Sequence, residues 1–352
     1  MPRRYLSALS ALAACGHPGT ASPDSSTTTD AMPDSPNGGG SASLPLATVT
    51  DAPLPGGATR FDYQEIDNGK GQLVVAHMND NSVLILDLAD GSVRKLLANI
   101  PTPRGVAVAD DVGIIFVTST PSHVVLIDNT SLTEITRVTT GTAPDGDGWD
   151  PDDKIVGVSD QGDGALSLIA GSGMGARTQV PLGTETGNVV YDAARKQFWI
   201  TVVRSSPPDQ LVEVHPTTAT VTTRIDLPGC DGAHGLRLHP DGQSAFIACE
   251  NNNTLARVDL GGAHAVSLGA TGAGPDVLSI DPGLGWLYVA AESGDLTVFD
   301  ITKPGVALVG HDHPGAKSHT VAADPATHRV FFPLPSGPNG TPILRIMRPN
   351  GT

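Results

Sequence analysis

Polar residues that could bind an ion or a polar ligand recur in this chain at intervals of about 42 residues. They are aspartates, histidines, an arginine, and an asparagine that stands beside Gly187. The members are Asp62, Arg104, Asp145, Asn188, His234, Asp276 and His319. A repeated position that changes between acid, base and amide does not behave like a core position. We therefore predict that these side chains form a polar ring that binds a ligand.

Four members of the ring could hold a divalent metal ion. Two imidazoles with one or two carboxylates are a common ligand set for transition metals. The candidates are His234, Asp276, His319 and Asp62. The same residues leave two alternatives open, an organic or peptide ligand and a wet channel without a specific ligand.

The element that must position the ring is a repeat of about 42 residues that reads as strand, turn, strand, polar loop and strand. An aspartate or its stand-in follows the first strand of each copy, at Asp67, Ala109, Asp150, Asp192, His239, Asp281 and Asp324. Repeats of this length with strands and no helices are typical of propeller blades. The sequence predicts an all-β fold, a seven-bladed β-propeller of four-stranded blades over residues 42–349, with a tail at 350–352.

The last copy of the repeat is one strand short. It supplies three strands, near Thr320–Ala323, Val330–Pro333 and Ile343–Met347, and no fourth strand follows in the sequence. The segment Leu44–Thr50 precedes the first copy and reads as the missing outer strand. We predict that this N-terminal strand completes the last blade, which would close the ring and remove its free edges.

The N-terminus reads as an export signal. Arg3 and Arg4 precede a short apolar run, which ends in the sequence Leu12–Gly16 around Cys15. This resembles a bacterial lipoprotein signal and predicts a signal peptide over 1–14 with lipidation of Cys15; an ordinary signal peptide with a chance cysteine is the alternative. Residues 15–41 are rich in Ser, Thr, Pro and Gly and predict a disordered tether.

These features predict an exported protein that a lipid holds at the cell envelope, at the outer membrane or the cell surface, with the periplasmic side as an alternative. The formal net charge of −16 makes nucleic acid an unsuitable partner. The expected partners are the membrane and a small molecule or protein ligand, and the expected state is a monomer. Cys230 and Cys249 flank a predicted hairpin, whose geometry would bring them together as a disulfide in an exported protein.

The chain resembles the YVTN-type (YncE-like) seven-bladed propeller family over residues 44–349. The resemblance rests on the repeated Asp-Pro at Asp150, Asp281 and Asp324, on second strands such as Leu287-Tyr-Val-Ala-Ala, and on third strands that end as Leu86-Asp87 does. It implies the propeller fold and a surface or periplasmic binding role, and it implies no catalytic residue. The third-strand aspartate is missing at Ala170 and His215.

Common catalytic, phosphate-binding and haem-attachment motifs are absent from the sequence. We therefore predict a binding module that acts through an acidic channel mouth without catalysis, with a divalent metal in the channel as the one cofactor considered. One alternative is a metal-dependent hydrolase that resembles the gluconolactonase-like propellers, in which Asp62, Asn188 and Asp276 would hold the metal. The other alternative is a pure interaction scaffold.

Overall fold

The computed structural model describes residues 46–173 and 177–350. The predicted signal peptide 1–14, the lipidation site Cys15 and the tether 15–41 lie outside the described residues. Within the described part of the chain, no helix is both long enough and apolar enough to cross a membrane.

The described strands form seven four-stranded antiparallel sheets, which are the blades of a β-propeller. The predicted fold class is therefore confirmed. Blade one contains β2 (Gln64–Asp67), β3 (Gln72–His77), β4 (Ser82–Asp87) and β5 (Val93–Ala98). Blade two contains β6 (Pro103–Ala109), β7 (Ile114–Ser119), β8 (His123–Asp128) and β9 (Thr133–Thr139). Blade three contains β10 (Pro144–Asp150), β11 (Ile155–Asp160), β12 (Ala165–Ala170) and β13 (Thr178–Pro181).

The remaining blades repeat this order. Blade four contains β14 (Glu185–Asp192), β15 (Gln197–Val203), β16 (Asp209–His215) and β17 (Thr220–Leu227). Blade five contains β18 (Ala233–Leu238), β19 (Ser244–Cys249), β20 (Thr254–Asp259) and β21 (Val266–Ala270). Blade six contains β22 (Pro275–Asp281), β23 (Trp286–Ala291), β24 (Leu296–Asp300) and β25 (Ala307–Asp312). Short 3-10 turns lie at Met78–Asp80, Gln161–Asp163 and Glu250–Asn252.

Blade seven joins the two ends of the propeller. It contains β26 (Ala322–Asp324), β27 (Arg329–Leu334) and β28 (Ile343–Pro349), and its outer strand is β1 (Leu46–Pro53). Strand β1 pairs antiparallel with β28 from Leu46 opposite Pro349 to Pro53 opposite Ile343. This confirms the predicted closure, although the strand begins and ends a few residues later than predicted.

The hydrophobic core of the described residues is divided into seven clusters, each between two neighbouring blades. Phe246 and Leu287, for example, bring together blades five and six, and both side chains are fully buried. The strands are buried on both faces because each blade packs against two others. Polar residues therefore gather at the channel and at the loops.

The repeated aspartate has a structural role at the turn that follows each inner strand. Asp150 Oδ1 accepts hydrogen bonds from the backbone N–H groups of Asp152 (2.9 Å) and Asp153 (3.2 Å). Asp281 Oδ1 does the same for Gly283 (2.9 Å) and Leu284 (3.2 Å). Such side-chain caps satisfy the turn and explain why the sequence repeats this residue.

Cys230 and Cys249 form a disulfide, with their Cα atoms 5.3 Å apart. Cys249 ends the second strand of blade five, and Cys230 precedes the first strand of that blade. Both residues belong to the buried cluster between blades four and five. The link therefore joins the approach to the inner strand with the hairpin that follows it.

Candidate functional site at the channel mouth

The channel mouth is the end of the central channel at which the seven inner strands begin. A cavity of about 360 Å³ lies there. From the predicted ring, it is lined by Asp62, Arg104, Asp145, His234 and Asp276. His319 lies beside them, with its Nε2 atom 4.0 Å from Asp276 Oδ2.

A shift of register in the inner strands directs these side chains toward the mouth. In blades two to six the pairing of the first two strands shifts register at the residues that carry the ring. The shift in blade five lies between Ala233 and Leu236 and so includes His234. Because a β-bulge redirects the side chains of its strand, the same local defect places Arg104, Asp145, His234 and Asp276 at the rim.

Glycines next to the ring residues allow the inner strands to approach each other. A Cβ atom on Gly235 would lie 1.8 Å from the carbonyl oxygen of Asp276, and one on Gly105 would lie 2.3 Å from that of Asp145. Any side chain would force the neighbouring blades apart at these points. The glycines therefore set the short distances between ring residues of adjacent blades.

His234 is the centre of an ion-pair network. Its Nδ1 atom lies 3.2 Å from Asp276 Oδ1 and 3.2 Å from Glu250 Oε1, and its Nε2 atom lies 3.1 Å from Asp145 Oδ2. The contact to Asp145 does not have the direction of a hydrogen bond, so it is an ion pair only. Burial opposes a charge on His234, but the three carboxylates outweigh it and hold the His234 pKa well above its usual value. His234 is therefore an imidazolium at neutral pH.

His319 has the opposite character. It is 1% exposed, and neither ring nitrogen makes a hydrogen bond. Burial lowers the His319 pKa, Asp276 opposes that effect, and the charge of Arg60 adds to it, so that the net shift is downward. A neutral imidazole with free nitrogens can act as a metal ligand or a hydrogen-bond partner.

The two aspartates next to His319 differ in protonation. Burial would raise the Asp276 pKa, but the hydrogen bond and charge of His234, with the charges of His319 and Arg60, lower it. The Asp62 pKa is raised well above its usual value by burial and by the charges of Asp145 and Asp276. These shifts favour the ionised form of Asp276 and a protonated Asp62.

The four predicted metal ligands do not form one set. Ligand atoms within 4.8 Å of one another define two groups among the described residues. One group contains Asp62, Asp276 and His319, and the other contains His234, Asp276 and Glu250. Since His234 Nδ1 hydrogen-bonds to Asp276 and forms an ion pair with Glu250, the second group is already satisfied as an ion-pair network. The first group has the donors that suit a divalent cation.

Three charged residues of the mouth, Arg60, Glu250 and Glu292, are not members of the predicted ring. The Arg60 guanidinium lies 3.6 Å from Asp276 Oδ2 through Nη2, and it also donates through Nη1 to Glu292 Oε1. Both residues lie in loops, outside the repeated position that defines the ring. Glu292 follows the second strand of blade six as Glu250 follows that of blade five, so this loop position also repeats. Glu250 comes from a loop that reads as polar in the sequence, and it reaches His234 at 3.2 Å.

Arg104 and Asn188 differ from the rest of the ring. Arg104 Nη1 donates to Gln161 Oε1 at 2.6 Å and lies 3.4 Å from Asp145 Oδ1. Asn188 lines a deeper part of the channel, and its Oδ1 accepts from the N–H of Val189 at 2.7 Å. Asn188 therefore does not line the mouth cavity with Asp62 and Asp276, the other two residues of the hydrolase-like metal set.

No protein-family model matches the sequence, and the curated proteins searched contain no match. Among solved structures, Kuenenia stuttgartiensis hydrazine synthase is similar, with a TM-score of 0.68 and 15% sequence identity. The match covers 86% of this chain and 96% of the other. At this identity the similarity supports the propeller fold alone.

Proposed function

We propose that this protein is a non-catalytic binding module that captures a cationic ligand at its channel mouth. A divalent metal ion is the simplest such ligand, held by Asp62, Asp276 and His319. The observation that carries this proposal is His319, which is buried, has a lowered pKa, and lacks a hydrogen bond at both ring nitrogens. Buried imidazoles are normally paired, so an unpaired one beside two carboxylates points to a bound group.

The charge balance of the mouth supports a cation rather than an anion. Five carboxylates converge there, from Asp62, Asp145, Asp276, Glu250 and Glu292, against two arginines and the His234 imidazolium. Burial raises the Glu250 pKa to about 7 against the lowering effect of His234. A cation that enters the mouth would replace protons on the raised carboxylates, because opposite charge favours their ionised form.

A tethered role at the cell envelope is part of the same proposal. It rests on the sequence of the first residues up to Cys15 and on the resemblance to the YVTN-type propellers. A disulfide between Cys230 and Cys249 fits an oxidising compartment. Lipidation of Cys15 would hold the propeller at the membrane surface.

Zinc binding to the purified protein tests the proposal. Isothermal titration with Zn²⁺ should give about one site per chain, with an affinity that rises with pH because Asp62 must lose its proton. His319→Ala should weaken binding at least about 10-fold, since it removes a ligand of the ion. His123→Ala is the matched control, because His123 lies on the third strand of blade two, outside the mouth.

Three results would contradict this proposal. Equal zinc affinity in the His319→Ala and His123→Ala variants would place any bound ion elsewhere. The absence of zinc binding in all three proteins would favour the scaffold alternative. Zinc-dependent turnover of a lactone or ester by the native protein, lost in His319→Ala, would instead favour the hydrolase.

A further inference from the structure

A second cavity lies deeper in the channel, below the mouth. Its volume is about 620 Å³, which falls in the range of small-molecule sites. It is lined by the inner strands of all seven blades and extends to the turns that contain Pro151, Pro240 and Pro282. None of the mouth residues His234, Asp276 or His319 lines it.

Three buried side chains that line this cavity have polar atoms without a hydrogen-bond partner. Both carboxylate oxygens of Asp147 are unpaired, as are the Tyr63 hydroxyl and Gln64 Oε1. These residues are 9%, 4% and 3% exposed, respectively. Buried polar groups in folded proteins are nearly always paired. Three such groups around one cavity indicate that it holds a polar ligand.

The cavity also carries separated charges. Glu65 lies on blade one, Asp147 on blade three and Arg237 on blade five. Glu65 Oε2 accepts from the N–H of Val108 at 3.2 Å, and Arg237 Nη1 donates to the carbonyl of Leu236 at 3.0 Å. Among the described residues, no ion pair within 4.0 Å joins Arg237 to either acid. Burial raises the Glu65 pKa and the charge of Arg237 nevertheless opposes this effect, so the cavity contains acidic and basic groups that influence each other without forming an ion pair.

Apolar side chains alternate with these polar groups in the walls of the cavity. Ile66, Val190, Leu238 and Ile280 line the cavity together with the rings of Trp149 and Tyr191. A ligand that only carried charge would leave these surfaces in contact with water, at a cost proportional to their area. The lining therefore suits a molecule with an apolar body and charged ends.

We propose that the channel cavity binds a small zwitterion with an apolar body. Its ammonium group would contact Asp147 and Glu65, and its acid group would contact Arg237. This site does not depend on cation binding at the mouth, since the two sets of lining residues differ. It would give the propeller a second, chemically distinct ligand.

The protonation of the acids is consistent with this assignment. Burial raises the Glu65 pKa to about 7, against the lowering effects of Arg237 and of the Val108 amide; Asp110 and Asp67 raise it further. Burial, with the charges of Glu65 and Asp145, raises the Asp147 pKa well above its usual value. Both acids can thus hold protons in the empty cavity, and an incoming ammonium group would release them.

The experiment uses leucyl-leucine as the zwitterion, measured by isothermal titration at pH 7. Its methyl ester, which lacks the carboxylate, and its N-acetyl derivative, which lacks the ammonium, serve as matched probes. We expect leucyl-leucine to bind at least about 10-fold more tightly than either derivative, because each lacks one charge contact. Titrations in buffers of different ionisation enthalpy should show proton release on binding.

Three variants locate the site. Asp147→Asn and Arg237→Gln should each weaken leucyl-leucine binding at least about 10-fold. Asp153→Asn is the matched control, because it removes an exposed carboxylate just after the same inner strand as Asp147. Circular dichroism should show that Asp147→Asn keeps its fold, since the substitution preserves the shape of the side chain.

Several results would overturn the proposal. One is the absence of leucyl-leucine binding to the native protein at about 10 mM dipeptide. This concentration exceeds a Kd of about 1 mM, so even a weak site would be detected. Equal affinity for all three probes would show that the charges do not recognise the ligand. Binding that Asp147→Asn and Arg237→Gln leave unchanged would place the dipeptide outside the cavity, for example at the acidic mouth.

Discussion

The substitution Gly235→Ala tests the central geometric argument, because Gly235 follows His234 directly and faces the backbone of Asp276. The added Cβ would lie 1.8 Å from the Asp276 carbonyl oxygen, whereas real Cβ atoms are essentially never found within 3.0 Å of another heavy atom. The two inner strands must therefore separate by at least about 1.2 Å. Backbone atoms cannot rotate away as a side chain can, so blades five and six must move.

The expected cost follows from two effects. Overpacking of this kind destabilises proteins by about 1–3 kcal/mol. The separation also lengthens the hydrogen bond between His234 Nδ1 and Asp276 Oδ1, now 3.2 Å, and such a charged bond contributes about 1.5–3 kcal/mol. We expect Gly235→Ala to lower the free energy of unfolding by about 3–5 kcal/mol.

Urea denaturation followed by tryptophan fluorescence measures this loss from the midpoint and the slope. Gly148→Ala is the matched control, because Gly148 also lies on an inner strand and its added Cβ would meet its nearest atom, the Val189 carbonyl oxygen, at 3.2 Å. We expect that variant to stay within about 1 kcal/mol of the native protein. Equal midpoints for the two variants would refute the claim that close strand approach at Gly235 shapes the mouth.

Three further results are expected. The double substitution Cys230→Ala, Cys249→Ala should lower the free energy of unfolding by about 3 kcal/mol, because the disulfide closes a loop with a sequence separation of 19. A smaller loss in non-reducing urea titrations would argue against a stabilising role of the disulfide. Because the His234 pKa is raised, the stability from its charge is present below about pH 6.5 and is lost as pH rises through the folded pKa. His234→Gln should remove this pH dependence of stability. If the melting temperature of the variant changed between pH 6 and pH 9 as much as that of the native protein, the prediction would be contradicted. Arg345→Met should lower the free energy of unfolding by only about 1 kcal/mol in the same urea assay, because the bidentate ion pair of Arg345 with Asp51 is partly exposed. A loss of several kcal/mol would show that this ion pair closes the ring.

The fold could be predicted from the sequence because each blade repeats the same turn residues and the same strand pattern. Asp150 and Asp281 cap turns that need a side-chain acceptor, so the same residue returns about every 42 positions. Strand alternation then predicts hairpins within each copy. The missing strand of the last copy predicts that β1 completes it, which the pairing of β1 with β28 confirms.

The site was predicted only in part, because repeats identify positions and not contacts. Alignment of the copies identified Asp62, Asp145, His234 and Asp276, which line the mouth cavity. It did not find Arg60, because this residue lies in the loop before the inner strand, two positions away from the repeated ring position. It also grouped Asn188 with the ring, although a one-position offset on a strand turns a side chain in another direction.

The sequence by itself thus determined the blade number, the closing strand and the set of polar residues, since these follow from local periodicity. Tertiary structure decided how those residues interact. Neighbouring blades bring His234 among three carboxylates and leave the ring nitrogens of His319 without a hydrogen bond, and the pKa values of the two histidines shift in opposite directions. The pKa values depend on burial and on the distances between charged groups of neighbouring blades, and the order of residues in the sequence gives neither quantity.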